Sequence, residues 1–276
     1  MQYTAGIDLG SGFTKALVLA SGEEAPRVIG RGTARSGVDL EAAGRNALDA
    51  ALHQAGISAA DLCYTATTGL GRYGFSGRDV QITDITSAAR GAHFLVPGSS
   101  LVLDIGSQAT RAIAVTPEGK VKAFKTNDKC AAGSGSFIVR AAKYLQVPLE
   151  SVGDLALNGN HPQMISSICA VLAESEIINL VSAGLSVEDI LRGIYDSLAE
   201  RAATLLRRVG MTDEVTFIGG VARQAGMVRA LEARLKVPVR VPRNSDLVCA
   251  AGAALLGLRR LNQSQFARTV EMQIPA

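Results

Sequence analysis

The chain has few of the residues that mark several common classes of protein. Of its 276 residues none is tryptophan, 4% are aromatic and three are histidine, without the spacing of metal ligands. The cysteines are widely spaced and form no Cys-x-x-Cys pair: Cys63, Cys130, Cys169 and Cys249. A disulfide framework is therefore not expected in a chain of this length.

Strong charge of one sign and long apolar runs are also missing. Lys and Arg number 28 and Asp and Glu 25, a formal net charge of +3, and no basic run suggests nucleic-acid binding. The most apolar stretch, residues 249–258, is far shorter than the roughly 20 residues that span a bilayer. No basic segment followed by an apolar one opens the chain. We therefore expect a cytoplasmic protein with neither a nucleic-acid nor a membrane partner.

Two segments of the chain resemble each other. Residues 3–19 and 101–115 each contain an apolar strand, an Asp-x-Gly turn, a basic residue and a second apolar strand. The turns begin at Asp8 and Asp104, and the basic residues are Lys15 and Arg111. This pattern predicts two β-hairpins. Their wide spacing indicates a duplicated domain, and the intervening alternation of strands and helices indicates an α/β architecture.

Glycine-rich hairpins that follow an aspartate suit phosphate chemistry. Glycine lets backbone N–H groups approach phosphate oxygens, and the carboxylate is able to hold Mg²⁺ directly or through water. A predicted strand ending in Gly219-Gly220 before a helix adds a bare backbone against which a base or ribose is able to lie. The aspartates have an alternative role to Mg²⁺ binding, which is to cap their own turns. The alternative to phosphate binding for Lys15 and Arg111 is that each is an ordinary charged residue on a strand, exposed to solvent.

This three-part pattern resembles the superfamily of actin, sugar kinases and heat-shock chaperone ATPases, over nearly the whole chain. The resemblance implies an α/β fold of two ribonuclease-H-like, actin-like ATPase domains with ATP in the interdomain cleft. We assign residues 1–98 to the first domain. Residues 99–276 form the second, which carries Cys130 and Cys169 and has a last helix able to pack back on the first domain. Gly252 is the expected crossing point of the helices that connect the domains.

The resemblance also implies the roles of individual residues. Asp8 and Asp104 are the candidate catalytic residues, with ATP and Mg²⁺ as cofactors. The candidate nucleotide contacts are Gly10, Ser11, Gly12, Lys15, Gly106, Ser107, Gln108, Gly219 and Gly220.

Two cysteines lie at the starts of predicted helices. A lone cysteine is usually a small buried hydrophobe, and we assign Cys63 and Cys249 to the core. Cys130 and Cys169 differ, because a helix N-terminus favours the thiolate that metals bind. A four-thiolate cluster needs four ligands, so a chain that offers two cysteines requires a dimer if it binds such a cluster.

Two glutamates follow Cys169 on the same predicted helix. Which of Glu174 and Glu176 approaches the site stays open, since residues two apart on a helix face different ways.

The surroundings of these cysteines narrow the resemblance. Residues 127–135, Asn-Asp-x-Cys-Ala-Ala-Gly-x-Gly, and 169–176, Cys-x-Val-x-Ala-Glu-Ser-Glu, are similar to the ATP-dependent activators of 2-hydroxyacyl-CoA dehydratases and the ATPase subunits of benzoyl-CoA reductases. In that family these cysteines bind one [4Fe–4S] cluster shared across a dimer, which implies that Cys130 and Cys169 are metal ligands. Thr68-Gly-Leu-Gly-Arg72 matches a family loop.

Two departures refine the assignment. Activators read Asp-Ile-Gly-Gly-Gln-Asp where this chain has residues 104–109, Asp-Ile-Gly-Ser-Gln-Ala. They read Glu-Ile-Thr-Cys-His-Ala where it has residues 84–89, Asp-Ile-Thr-Ser-Ala-Ala. With these changes and its short length, the chain is more similar to the smaller ATPase subunit of a benzoyl-CoA reductase than to an activator.

The resemblance implies an ATPase that passes low-potential electrons to a benzoyl-CoA reductase or a related acyl-CoA enzyme. The alternatives are a dehydratase activator, a small-molecule kinase of the same superfamily and, more remotely, an actin-like filament module. Expected partners are a second copy or a related ATPase subunit, the catalytic reductase or dehydratase subunits, and a ferredoxin-type electron donor.

Overall fold

The computed structural model describes residues 1–127, 134–163, 165 and 170–271. The chain divides into two compact units, one formed by Met1–Leu95 with Leu247–Ala276 and the other by Val96–Asp246. The sequence placed the division at residues 98 and 99. In the structure the chain leaves the first unit at Leu95 and returns to it at Leu247, so the last helix belongs to the first unit.

Groups of strands and groups of helices follow one another along the described residues. The strands are β1 Gln2–Leu9, β2 Phe13–Ser21, β3 Arg27–Arg35, β4 Leu62–Thr68, β5 Val80–Gln81, β6 Leu101–Ile105, β7 Thr110–Val115, β8 Val121–Asn127, β9 Val215–Ile218 and β10 Val239–Arg240. The helices are α1 Leu40–Ala55, α2 Asp84–Leu95, α3 Gly135–Tyr144, α4 Val152–Leu157, α5 Ala170–Ser182, α6 Val187–Val209, α7 Ala225–Leu235 and α8 Val248–Glu271.

Each unit is built on a five-stranded sheet, and the two sheets have the same topology. The strand orders are β3-β2-β1-β4-β5 and β8-β7-β6-β9-β10. In each, the first three strands pair antiparallel and the last two add in parallel. The two predicted hairpins are β1–β2 and β6–β7. The resemblance between the two sequence segments therefore reflects a repeated fold.

The central strands are buried on both faces. All residues of β6 are buried, as are residues 4–9 of β1. Near-continuous apolar runs are typical of strands covered on both sides. The sequence interpretation recognised these strands but missed the edge strands β3 and β8, whose outward positions include Arg31 and Lys125. Charged residues protect an edge strand from pairing with other chains and also remove its apolar alternation.

Glycines allow helices α2 and α8 to cross closely within the first unit. A Cβ on Gly252 would collide with the carbonyl oxygen of Ser87, and one on Gly91 with that of Val248. The expectation that helices cross at Gly252 is confirmed for this pair. Elsewhere α8 packs on β1, where a Cβ on Gly6 would collide with the carbonyl oxygen of Ala250.

The core of the second unit forms between its sheet and α6. Ser186 caps α6 by accepting a hydrogen bond from the Asp189 N–H at 3.2 Å. Tyr195 of this helix is fully buried with Phe137 and Phe217, and burial raises the pKa of its hydroxyl.

No helix among the described residues combines the length and apolar character that crossing a membrane requires.

Candidate functional site

The first Asp-x-Gly turn holds an aspartate in an ion pair at the end of β1. Asp8 is opposite Lys15 in the β1–β2 register, and the Lys15 Nζ lies 3.1 Å from Asp8 Oδ2. Both side chains are largely buried, with exposed fractions of 17% for Lys15 and 12% for Asp8. The pair fixes one carboxylate oxygen in a partly desolvated place, where water screens electrostatic interactions less than at the surface.

The backbone of this turn is anchored from behind by Ser36. Its hydroxyl donates to the carbonyl oxygen of Gly10 at 2.6 Å, and its N–H donates to that of Gly12 at 3.2 Å. Since that hydroxyl proton is used, the Thr14 hydroxyl is the donor in its 3.0 Å contact with the Ser36 oxygen. A Cβ on Gly10 would lie 2.7 Å from the carbonyl oxygen of Phe13. Only glycine therefore fits this turn without rearrangement.

The second turn repeats the arrangement at the end of β6. Asp104 is opposite Arg111 in the β6–β7 register, and the Arg111 Nη1 lies 2.9 Å from Asp104 Oδ2. The Gly106 N–H closes the turn by donating to the carbonyl oxygen of Ala109 at 2.9 Å. Both predicted aspartates are thus held by a base seven positions later, the spacing that a tight hairpin places across two strands.

Helix α3 begins on the second turn. The Gly135 N–H donates to the carbonyl oxygen of Gly106 at 2.9 Å, and the Ser136 N–H donates to that of Ser107 at 2.8 Å. The first N–H groups of a helix lack partners within the helix. Here two of them bind the backbone of the turn, so the position of α3 is coupled directly to that of the turn.

A glycine with positive φ lies against each aspartate. Gly69 follows β4 with φ +88°, and Gly219 follows β9 with φ +90°. A Cβ on Gly69 would lie 2.5 Å from Asp8 Oδ1, and one on Gly219 would lie 2.6 Å from Asp104 Oδ1. Sequence reasoning selected Gly219 but gave Gly69 no role. The signal available was its place in the Thr68-Gly-Leu-Gly-Arg72 loop, directly after a strand.

Each unit therefore collects part of the predicted site. In the first unit these are Asp8, Gly10, Ser11, Gly12 and Lys15; in the second they are Asp104, Gly106, Ser107, Gln108 and Gly219. Gly220 opens the short turn after β9, and a Cβ there would meet no described atom within 4 Å. The chain thus contains two equivalent carboxylate turns, each with bare backbone beside the acid.

The cysteine predictions have a different outcome. Cys130 and Cys169 lie outside the described residues. Within the described ranges, no group of three or more His, Cys, Asp or Glu side chains is arranged to hold a metal ion. The assignment of Cys63 to the core is wrong, because the first residues of β4 lie at the surface and Cys63 is exposed; Cys249 is half-buried.

Glu174 connects α5 to α3. Its carboxylate accepts hydrogen bonds from Arg140 Nη1 at 2.8 Å and from the Tyr144 hydroxyl at 3.0 Å. The bond from Arg140 is the main cause that lowers the pKa of Glu174, and burial opposes it. The same carboxylate raises the pKa of the Tyr144 hydroxyl. Glu174 is thus part of a contact between two helices.

Comparison with known protein families shows which family contains this pair of turns. A sequence model of the BadF/BadG/BcrA/BcrD ATPase family matches residues 5–257, which include both turns and the two glycines beside the aspartates, Gly69 and Gly219. The chain belongs to this ATPase family. The predicted family is therefore confirmed.

Relatives within the ATPase family match over nearly their whole length. The chain is 41% identical over 256 residues to the activator of lactoyl-CoA dehydratase from Anaerotignum propionicum, covering 92% of this chain and 96% of that protein. It is 37% identical over 280 residues to one of the subunits of benzoyl-CoA reductase from Thauera aromatica, covering 97% of this chain and 99% of that protein.

A solved relative of this ATPase family has the same fold. The activator of the 2-hydroxyisocaproyl-CoA dehydratase from Clostridium difficile, with bound ADPNP, superposes with a TM-score of 0.90 at 34% identity. The match covers 96% of this chain and 98% of that one. The predicted fold class, two ribonuclease-H-like α/β domains of the actin-like type, is confirmed, and family membership supports ATP binding.

Proposed function

We propose that this chain is an ATP-hydrolysing subunit that activates an acyl-CoA enzyme by driving low-potential electrons into it. The observation that carries the ATPase part is the duplicated turn, in which a paired carboxylate lies against bare glycine backbone. The role toward an acyl-CoA enzyme is supported by the relatives, whose names describe activators of acyl-CoA dehydratases and a subunit of benzoyl-CoA reductase. The electron-transfer part rests on the resemblance of the segments around Cys130 and Cys169 to that family.

The residues present fit a magnesium nucleotide. Carboxylate oxygens are the ligands that Mg²⁺ takes, often through its waters. At Gly69 and Gly219 the Cβ of any other residue would collide with the aspartate oxygens, so glycine leaves both carboxylates in place. In this proposal each aspartate would act, from its own turn, on Mg²⁺ or on water bound to it, and Lys15 and the backbone of the turns would contact phosphates. Gly219 and Gly220 lie against the nucleoside.

In this proposal Cys130 and Cys169 ligate a [4Fe–4S] cluster together with the same two positions of a second copy or a related subunit. Four thiolates complete such a cluster. When bound, the cluster supplies a one-electron carrier. The free-energy scale is adequate, because about 10 kcal/mol corresponds to about 0.4 V for one electron.

The described contacts suggest how the nucleotide turn acts on the cysteine segments. Gly106 and Ser107 hold the first turn of α3, and residues 128–133 immediately precede that helix segment. Glu174 connects α3 to α5, which follows residues 166–169. In the proposal, a shift of the second turn on ATP hydrolysis moves α3, and α5 moves with it. Such small helix shifts are a common form of conformational switching.

The first experiment measures iron and sulfide in anaerobically purified protein and records the EPR spectrum after dithionite reduction. We expect about four irons per dimer, as one [4Fe–4S] cluster requires, lost in Cys130→Ala and in Cys169→Ala. Cys63→Ala is the matched control, because this cysteine is exposed at the start of β4 and should not affect iron. A protein without iron that still binds ATP would overturn the electron-transfer part.

The second experiment identifies the acyl-CoA enzyme. The reduced protein, with ATP and a ferredoxin-type donor, is added to the catalytic subunits of a benzoyl-CoA reductase or of a 2-hydroxyacyl-CoA dehydratase. The proposal expects ATP-dependent turnover of one of them. The departures at Ser87 and Ala109 favour the reductase. Turnover of the dehydratase alone would reassign the chain as an activator of that enzyme.

A further inference from the structure

We propose that the hydroxyl of Thr68 is a positioning group of the nucleotide site, donating a hydrogen bond to a phosphate oxygen, or to water bound to that phosphate, beside the Asp8 carboxylate. The inference rests on the proposed binding and hydrolysis of ATP. Thr68 is the last residue of β4, and no role was assigned to it from the sequence.

Thr68 is placed beside Asp8 by the parallel pairing of β4 with β1. The two residues are register partners, so their side chains leave the sheet on the same face. That face is identified by the packing of α8. Earlier on β1 the Thr4 hydroxyl donates to the carbonyl oxygen of Ala254, and earlier on β4 Ala66 lies against Gly257. Thr68 and Asp8 follow at the carboxyl ends of the two strands.

The hydroxyl of Thr68 is buried without a partner in the described part of the chain. The residue is 0% exposed, and its Oγ1 accepts and donates no hydrogen bond among the described residues. Buried polar groups are normally hydrogen-bonded. The adjacent Thr67 follows that rule, because its hydroxyl donates to the carbonyl oxygen of Arg72 at 2.7 Å. The unused donor thus lies one residue from a satisfied one, on the face that carries the carboxylate.

The neighbouring groups make a ligand oxygen the natural acceptor for this hydroxyl. Asp8 Oδ2 is bound to Lys15, whereas Asp8 Oδ1 lies beside Gly69, where a side chain is missing. Phosphate oxygens only accept hydrogen bonds, and a threonine hydroxyl is able to donate one. A ligand bound at the end of β1 would have Lys15 and the Thr68 hydroxyl on the same face of the sheet as the Asp8 carboxylate.

The test compares Thr68→Val, which keeps the shape and removes the hydroxyl, with Thr68→Ser, which keeps the hydroxyl. ATP turnover and the dissociation constants of Mg·ADP and Mg·ADPNP are measured for both, together with the unfolding temperature without nucleotide. We expect Thr68→Val to lose roughly ten- to a hundredfold in turnover or in affinity, the range for one hydrogen bond to a charged group. Thr68→Ser should stay within about threefold, less than one such bond.

Thr4→Val is the matched control, since it removes another buried hydroxyl from the same face of the sheet. Its hydroxyl is bound to Ala254, so the variant should lower the unfolding temperature and leave turnover unchanged. Thr68→Val should instead reduce turnover or nucleotide affinity without lowering the unfolding temperature. If it does not fold, Thr68→Ala takes its place in the comparison with Thr68→Ser.

The measurements also separate the possible acceptors. Weaker binding of both nucleotides assigns the hydroxyl to an inner phosphate, and weaker binding of ADPNP alone assigns it to the terminal one. Slower turnover with unchanged binding assigns it to phosphate-bound water. Thr68→Val with wild-type affinity and turnover would overturn the inference. Failure of the wild type itself to bind ATP would refute the proposed function instead.

Discussion

Replacing Gly69 by alanine should damage the first carboxylate turn through two separable effects. The first is backbone strain, because Gly69 has φ +88°, where a residue with a Cβ costs about 1–3 kcal/mol. The second is collision, because the new Cβ would lie 2.5 Å from Asp8 Oδ1 and 2.6 Å from the carbonyl oxygen of Leu9. The carboxylate is able to rotate away, but the carbonyl belongs to β1. Overpacking of this kind adds about 1–3 kcal/mol.

Gly98→Ala isolates the first effect, the backbone strain. Gly98 has the same φ of +88°, but a Cβ there would meet no described atom within 4 Å. It should therefore show the strain without the collision. Gly37→Ala, with φ +57° and equally open surroundings, supplies a control inside the first unit.

The assay is nucleotide affinity by calorimetry, with urea unfolding as the measure of stability. Gly69→Ala should weaken Mg·ADP binding more than tenfold, because moving Asp8 by a few tenths of an ångström disturbs its ion pair with Lys15 and the preorganised site. Gly98→Ala and Gly37→Ala should bind as the wild type does. Equal affinity of Gly69→Ala and Gly98→Ala would refute the reasoning, because the collision is the feature that separates them.

Three further predictions follow from the same contacts. Lys15→Met leaves a largely buried carboxylate without its partner, so urea unfolding should show a loss of about 1–3 kcal/mol. Glu174→Gln should lower the unfolding temperature above pH 5. Because Arg140 lowers the pKa of Glu174 from 4.5, that difference should shrink as the pH falls through the lowered value; a difference independent of pH would contradict this. Gly252→Ala should cost about 1–3 kcal/mol by forcing α2 and α8 apart, whereas Gly22→Ala, in open space, should be near neutral.

Much of the fold could be predicted because its signals are local. The hairpins β1–β2 and β6–β7 follow from apolar strands separated by glycine turns, and their register places each aspartate opposite its base. The sequence pattern predicts helices at residues 39–55 and 83–95, and α1 and α2 begin within one residue of these positions. The edge strands were missed because their charged residues hide the alternation that marks a strand.

The helix α8 shows a different limit of sequence reasoning. The Ala-rich pattern of residues 246–261 predicts a helix that ends near residue 261, whereas α8 continues to Glu271. Its polar second half lacks the apolar pattern of a buried helix, and part of it is held by contacts such as Gln2 Nε2 with Gln265 Oε1 at 3.0 Å. A contact between the two ends of a chain leaves no local signal.

Local chemistry specifies the two carboxylate turns, because an aspartate, a glycine and a basic residue at short spacing fold together within one hairpin. The meeting of Asp8 with Thr68 and Gly69 is decided by tertiary structure. It depends on the parallel pairing of β1 with β4, which no turn between neighbouring strands imposes. The same holds for Asp104 and Gly219. Residues far apart in the chain complete each site, since the sheet, and not the spacing, brings their strand ends together.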